Sequence, residues 1–133
     1  MNNIIRGHCM LELYDDNKAL ESSLTDVCID SAIKEGLFTT VFSSEHTEIE
    51  FGRLFIEKFG DEGITKVTSS HLCFKNVNHQ PLERIYPDIR ACAAAGCKLV
   101  ILVGDCVRNI PDYDDLAEDL SIALLAMDTR YAK

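Results

Sequence analysis

Six polar residues occupy positions where chemistry is done in an alternating strand–helix chain. Asp15 and Asp16 follow an apolar segment in ELYDDNKALESS, Glu45 and His46 follow another in VFSSEHT, and Asp105 ends a third in KLVILVGDC, with Arg108 just beyond it. A carboxylate after one strand can activate water, and an Asp at the end of a buried strand can hold magnesium beside a phosphate. Seating that phosphate at a strand–turn–helix junction requires glycines, so that backbone N–H groups approach the ligand, and usually a Lys followed by Ser or Thr. The DDNKALESS turn has no glycine, and Lys18 is not in a G-K-[ST] setting. Asp15 and Asp16 set two negative charges where the phosphate would sit. An intact phosphate loop is excluded, and ordinary nucleotide hydrolysis with it. Glu45 and Asp105 have a plainer reading as well, since polar residues at strand ends often cap the helix that follows.

Metal and thiol chemistry find less support. His8-Cys9 and His71-x-Cys73 alternate along strands, and Cys97 and Cys106 lie at the two ends of another. None has the C-x₂-C or H-x₃₋₅-H spacing of a zinc site, so no metal and no cofactor is expected. A catalytic cysteine needs an accessible, electropositive setting, which an acidic chain does not supply. The six cysteines form an even set, but the chain is not the loop-rich kind that disulfides staple. They read as free thiols, mostly buried, in a reducing cytoplasm.

The formal net charge of −9 repels polyphosphate, and no Lys/Arg cluster offers a local exception, so nucleic acid is not an expected partner. No apolar run approaches the ~20 residues needed to span a bilayer. The N-terminus runs directly into the first strand without a signal-peptide pattern. At 133 residues, with 47% apolar and 26% charged residues, one domain with a real core is expected over residues 1–133.

Positioning the six residues falls to alternating short apolar runs and helical stretches, the pattern of βαβ units around a mainly parallel sheet. Strands are expected at Cys9–Tyr14, Leu37–Ser44 and Cys97–Asp105, the last a continuous apolar run of the kind buried on both faces. A helix is expected over Ala19–Glu35, stopped by Gly36, and another opened by a T-x-x-E capping box at Thr47 and Glu50 and closed at Gly60. The segment ITKVTSSHLCF reads either as one strand or as a short strand followed by a longer one at His71–Phe74. A third helix starts at Pro81 or at Pro87 and runs to Ala95. After Pro111, DYDDLAEDLSIALLAMD reads as one acidic-faced helix with Leu116, Leu120, Ala123, Leu124 and Met127 at helical spacing. Its early aspartates suit the positive end of a helix. The fold class that follows is α/β, a three-layer sandwich with helices on both faces of a parallel sheet.

With these residues in view, GHCMLELYDDNKALESSLTDVCIDSAIKEGLFTTVFSSEHT, Gly7–Thr47, resembles the methanogen/methylotroph sensory (MEDS) family, and KLVILVGDCV, Lys98–Val107, is similar to a later core strand of archaeal relatives. The resemblance implies a RecA-like core with a degenerate phosphate loop, and a sensory or regulatory role in signal transduction that responds to small organic compounds. Such modules are often attached to signalling domains. No output domain is recognisable in these 133 residues, and the family pattern puts a further strand past Lys133.

In open parallel sheets the ligand crevice lies outside the carboxyl ends of the strands. That places Asp15, Asp16, Glu45, His46, Asp105 and Arg108 around one rim, and His8 at the opposite end with a structural role. The expected function is non-catalytic sensing or regulation through a small ligand or a separate signalling protein at this rim. The alternatives are a self-associating or partner-binding structural subunit, and a divergent magnesium-dependent phosphohydrolase using Glu45 and Asp105.

Overall fold

The computed structural model describes residues 5–78, 82–104 and 110–129. Five strands, β1 (Cys9–Tyr14), β2 (Thr39–Ser43), β3 (Leu72–Asn76), β4 (Leu99–Val103) and β5 (Ala123–Thr129), form one sheet in the order β1-β5-β4-β2-β3. Every ladder is parallel. The connections carry α1 (Asn17–Cys28), which continues through a π-helical segment at Ile29–Lys34, then α2 (Glu48–Phe59), a 3₁₀ turn at Gly60–Glu62, α3 (Gly63–Thr68), α4 (Leu82–Ala94) and α5 (Ile110–Leu120). The α/β sandwich read from the sequence is the fold observed.

Strand periodicity divides the core in two. Leu99, Ile101 and Leu125 point to one face, where Leu20, Leu24 and Cys28 of α1 and Phe51 and Phe55 of α2 cover them. Val100, Leu102, Leu124 and Ala126 point to the other, under Ile85 and Ile89 of α4 and Tyr113 and Leu116 of α5. β4 is buried at every position, as its unbroken apolar run requires. Helix α2 opens with the expected capping box: Thr47 Oγ1 accepts the Glu50 N–H at 3.2 Å, and Glu50 Oε1 accepts the Thr47 N–H at 2.9 Å.

Two segments differ from the sequence reading. The start of ITKVTSSHLCF, residues 64–68, expected as strand, lies instead in helix α3. Its β-branched residues favour a strand, but Gly63 lets α3 lie directly on α2: a Cβ there would meet the Phe55 carbonyl oxygen at 2.5 Å. The single helix expected after Pro111 ends at Leu120, and Ala123–Thr129 is the fifth strand, inserted between β1 and β4. Ser121, at φ 55°, breaks the helix. The run IALLAM is apolar at every position, so it fits a buried strand as well as a helix stripe, and only sheet pairing separates the two. The third helix takes the longer of its two expected forms, with Pro87 inside it.

Candidate functional site

The carboxyl ends of the strands meet at one rim. β2 continues into α2 on one face of the sheet, and its neighbour β4 leads to α5 on the other. The last register pair between the two strands is Ser43↔Val103. Beyond it the chains part, which makes this the topological switch point where open α/β sheets hold their ligands. Ser44 N–H donates to the Val103 carbonyl at 3.0 Å, and Gly104 N–H crosses to the Met127 carbonyl at 2.9 Å. Glu45 is exposed, with its side chain folded over Gly104: a Cβ added at Gly104 would lie 2.6 Å from Glu45 Cγ and 2.8 Å from Glu45 Oε1, and would also meet Ser44 Oγ. Gly104 has φ +93°, a backbone conformation open mainly to glycine. The Glu45 carboxylate therefore lies at the residue before Asp105. Asp105 and Arg108 themselves lie outside the described residues.

His46 is buried, and its geometry makes it a fastening. Ser43 Oγ accepts the N–H groups of Glu45 and His46, each at 3.1 Å, and lies 2.9 Å from His46 Nδ1. With both lone pairs engaged, the Ser43 hydroxyl donates to Nδ1, so Nε2 carries the ring proton and donates to Glu21 Oε2 at 2.8 Å. Asn76 Nδ2 holds the His46 carbonyl at 2.6 Å, and Val77 N–H holds the Ser43 carbonyl at 2.9 Å. The order Ser–His–Glu looks like that of a hydrolytic triad, yet Ser43 is fully buried and its oxygen already accepts two hydrogen bonds. A nucleophile must reach its substrate, and this hydroxyl cannot. The network instead ties β2, α1 and the end of β3 together beneath the rim. Sequence reading placed His46 at the rim but missed Ser43, Glu21 and Asn76. Only S-x-x-H at a strand end hinted at the local part of the network.

The turn between β1 and α1 consists of Asp15 and Asp16 alone. Asp16 is extended, at φ −151° and ψ 171°, and its carboxylate accepts the Ala19 N–H at 2.8 Å. A helix N-terminus that could hold an anion is thus capped by the protein's own carboxylate. Among the described residues, left-handed backbone occurs at Gly7, Gly36, Gly60, Gly96, Gly104 and Ser121, never in this turn, so no concave cradle of N–H groups forms there. Asp15 and Asp16 are both exposed. Behind the turn, the Tyr14 and Ser23 hydroxyls meet at 2.8 Å and hold α1 against β1. His8 lies at the opposite end of β1, 3.5 Å from Asp114.

Among the described residues no group of three or more His, Cys, Asp or Glu side chains is placed to hold a metal ion. No helix there is long and apolar enough to cross a membrane. Burial disfavours the reactive thiolate at several cysteines. Burial pushes Cys28 and Cys97 upward, and burial together with Asp114 pushes Cys9 up to about 12.

No family model matches the chain, and no curated protein matches it. Solved structures do. One, described as a DnaB-like replicative helicase and its interactions with primase, aligns over 93% of this chain with a TM-score of 0.71 at 13% identity. Another, described as an ATPase domain, aligns over 94% with a TM-score of 0.71 at 12% identity. The chain spans 39% of the first and 58% of the second. At such identity the likeness speaks for architecture and not for activity. In its strand order, its parallel ladders and its helices on both faces, the chain has the fold of RecA-like helicase ATPase domains.

Proposed function

We propose that this chain is a non-catalytic sensory or regulatory domain, a RecA-like framework whose phosphate seat is closed and whose strand-end rim receives a small ligand or a protein partner. The observation that supports this most directly is the Asp16 cap. The α1 N-terminus, where a nucleotide's phosphates would be gripped, already carries a carboxylate on its Ala19 N–H. The rim then presents Asp15, Asp16 and Glu45, and the candidate set continues to Asp105 and Arg108 in the sequence. Carboxylates favour a cationic or hydroxyl-rich ligand, or a basic segment of a partner protein, over an anion. The MEDS-like pattern of Gly7–Thr47 agrees with a sensory role. The neighbour solved with reference to primase offers a precedent for a protein partner on this framework.

A second reading, a structural subunit that associates with itself, draws on Leu11 and Leu13, which stand 45% and 46% exposed on β1. The third, a magnesium-dependent phosphohydrolase, draws on the approach of Glu45 to Gly104, but lacks a phosphate cradle.

Calorimetry with magnesium-ATP and magnesium-GTP separates these readings. The regulatory and structural readings require no heat of binding. A micromolar dissociation constant for either nucleotide overturns both, and phosphate release that is lost in Glu45→Ala is then the test of the third.

A further inference from the structure

We propose that Cys73 and Cys92 are an oxidation site, joined by a hydroperoxide into a reversible disulfide between β3 and α4 at the end of the sheet opposite the rim. α4 returns the chain from the carboxyl end of β3 to the amino end of β4, and both strands run parallel to β2, so the helix is antiparallel to β3. Lys75 of β3 and Asp88 of α4 form an ion pair that joins the two elements. Two residues back along β3 from Lys75, about 7 Å away, stands Cys73. One turn on along α4 from Asp88, about 6 Å away in the same direction, stands Cys92. The ion pair therefore sets the two cysteines opposite each other.

Thr40 marks where they meet. It is the register partner of Cys73 on β2, as Phe42 is of Lys75. Register partners share a face of the sheet, and Phe42 lies in the core beneath α4, so Cys73 is on the α4 face as well. The Thr40 hydroxyl hydrogen-bonds to the Cys92 thiol and lies 3.4 Å from Cys97 Sγ. Burial raises the Cys92 thiol above its ordinary range, the Thr40 hydrogen bond draws it down, and Cys73 pushes it up again as a neighbouring sulfur would. Exposure then falls in steps: Cys73 is exposed, Cys92 is partly buried and Cys97 is buried. Cys97 is already engaged, its thiol donating to the Leu99 carbonyl at 3.2 Å. The three side chains are not grouped to hold a metal ion, which leaves thiol–disulfide chemistry as what they can do.

Exposure also assigns the roles. A redox-responsive cysteine is accessible and stands beside a second thiol that resolves it. Cys73, the accessible sulfur, attacks the hydroperoxide: an S–O bond forms, the O–O bond breaks, and an alcohol or water leaves with the Cys73 proton. Cys92 then attacks the Cys73 sulfenic acid: an S–S bond forms, the S–O bond breaks, and hydroxide leaves with the Cys92 proton as water. The two thiols give up two electrons, and these reduce the peroxide. A dithiol reductant returns both thiols by exchange. The crosslink ties α4 to β3, whose far end supplies the Asn76 side chain that holds the His46 carbonyl beneath the rim.

Peptide mapping by mass spectrometry tests this on the full chain, treated with stoichiometric hydrogen peroxide and then blocked with N-ethylmaleimide. The expected product is a Cys73–Cys92 disulfide within one molecule, with both thiols recovered in dithiothreitol. Cys92→Ser should lose the disulfide and accumulate a Cys73 sulfenic acid that dimedone captures. Cys73→Ser should lose the disulfide and leave Cys92 reduced at the same peroxide exposure. The oxidised wild-type chain should unfold at higher urea than the reduced one, since the crosslink restricts the unfolded chain. The wild-type map and the urea shift decide the matter if a serine variant fails to fold. Cys92 joined to Cys97, Cys73 joined to a second molecule, or Cys73 carried on to sulfinic acid with Cys92 still reduced would each overturn the proposal.

Discussion

His46 Nε2 lies 2.8 Å from the Glu21 carboxylate, joining the loop after β2 to the middle of α1 across 25 positions of sequence. One side of that contact is buried and the other is about one-third exposed. The imidazole is therefore fixed at both nitrogens while the carboxylate still touches solvent. A site that recognises a ligand needs its framework held rigid, and this contact stiffens the rim from below.

Replacing His46 with Ala should cost about 2 kcal/mol or more, because the Ser43 hydroxyl loses its acceptor in a buried setting. Glu21→Gln keeps an acceptor for Nε2–H and should stay within about 0.5 kcal/mol of the parent, whereas Glu21→Ala should cost about 1 kcal/mol. Urea denaturation measures all three. Equal losses for Glu21→Gln and Glu21→Ala would mean that charge, not hydrogen bonding, is what the contact supplies.

Rim residues should divide by role. Asp16→Ala removes the α1 cap and should cost about 1 kcal/mol. Glu45→Ala should change stability by less than about 0.5 kcal/mol, since the α2 cap is Thr47 and not Glu45. Thermal melts decide the matter: a Glu45 variant as unstable as the Asp16 variant would make Glu45 structural.

Gly104→Ala should destabilise by about 2 kcal/mol, combining a strained φ with collision against Ser44 and Glu45. At Gly63 the backbone conformation is ordinary, but the obstacle is the main chain of Phe55 and Ile56, which has no rotamer to yield. Gly63→Ala should therefore cost at least about 2 kcal/mol as well. Chemical denaturation that found either variant within error of the parent would refute the packing described here.

The α2 capping box should carry a pH signature. Hydrogen bonds from the Thr47 N–H hold Glu50 below the usual carboxylate range. A depressed folded-state pKa contributes stability that is present above the unfolded value, and that is lost as pH falls through the folded one. Parent protein should thus lose a small increment on acidification that Glu50→Gln does not show. Parallel melts of the two proteins from neutral to acidic pH would reveal it, and identical slopes would remove Glu50 from the cap.

Thiol reactivity should follow exposure. Cys28 and Cys97 are buried with raised pKa, Cys9 is pushed up to about 12, and Cys73 is exposed. In a Cys106→Ser background, a chromogenic disulfide at neutral pH should modify Cys73 first, and Cys28 and Cys97 only on unfolding. Rapid loss of Cys28 in native protein would show that α1 opens readily.

Local physics explains which elements were legible in advance. The β1–α1 unit, the Thr47–Glu50 box and the LVILV strand each announce themselves through neighbours: a period, a cap, an unbroken apolar run. Segment 64–68 misled because its β-branched residues report local preference, while its helix depends on the close approach of Gly63 to α2. Segment 123–129 misled because an apolar run without polar interruption has no period to read, and its strand exists through pairing with β1 on one side and β4 on the other. At the site, the loss of the phosphate loop was readable because missing glycines are a property of composition.

By itself, then, the amino-acid order determined that alternating strands and helices would form around a parallel sheet, and that no nucleotide cradle would open after β1. These follow from periodicity, turn chemistry and the charge of Asp15 and Asp16, all of which act within a few residues. Only the tertiary structure decided that His46 would be clamped between Ser43 and Glu21, that Glu45 would fold over Gly104, and that β5 would insert between β1 and β4. Those depend on distances between segments far apart in the chain. Hydrogen bonds and contacts act over a few ångströms in space, and no local pattern encodes which distant residues the sheet will bring that close.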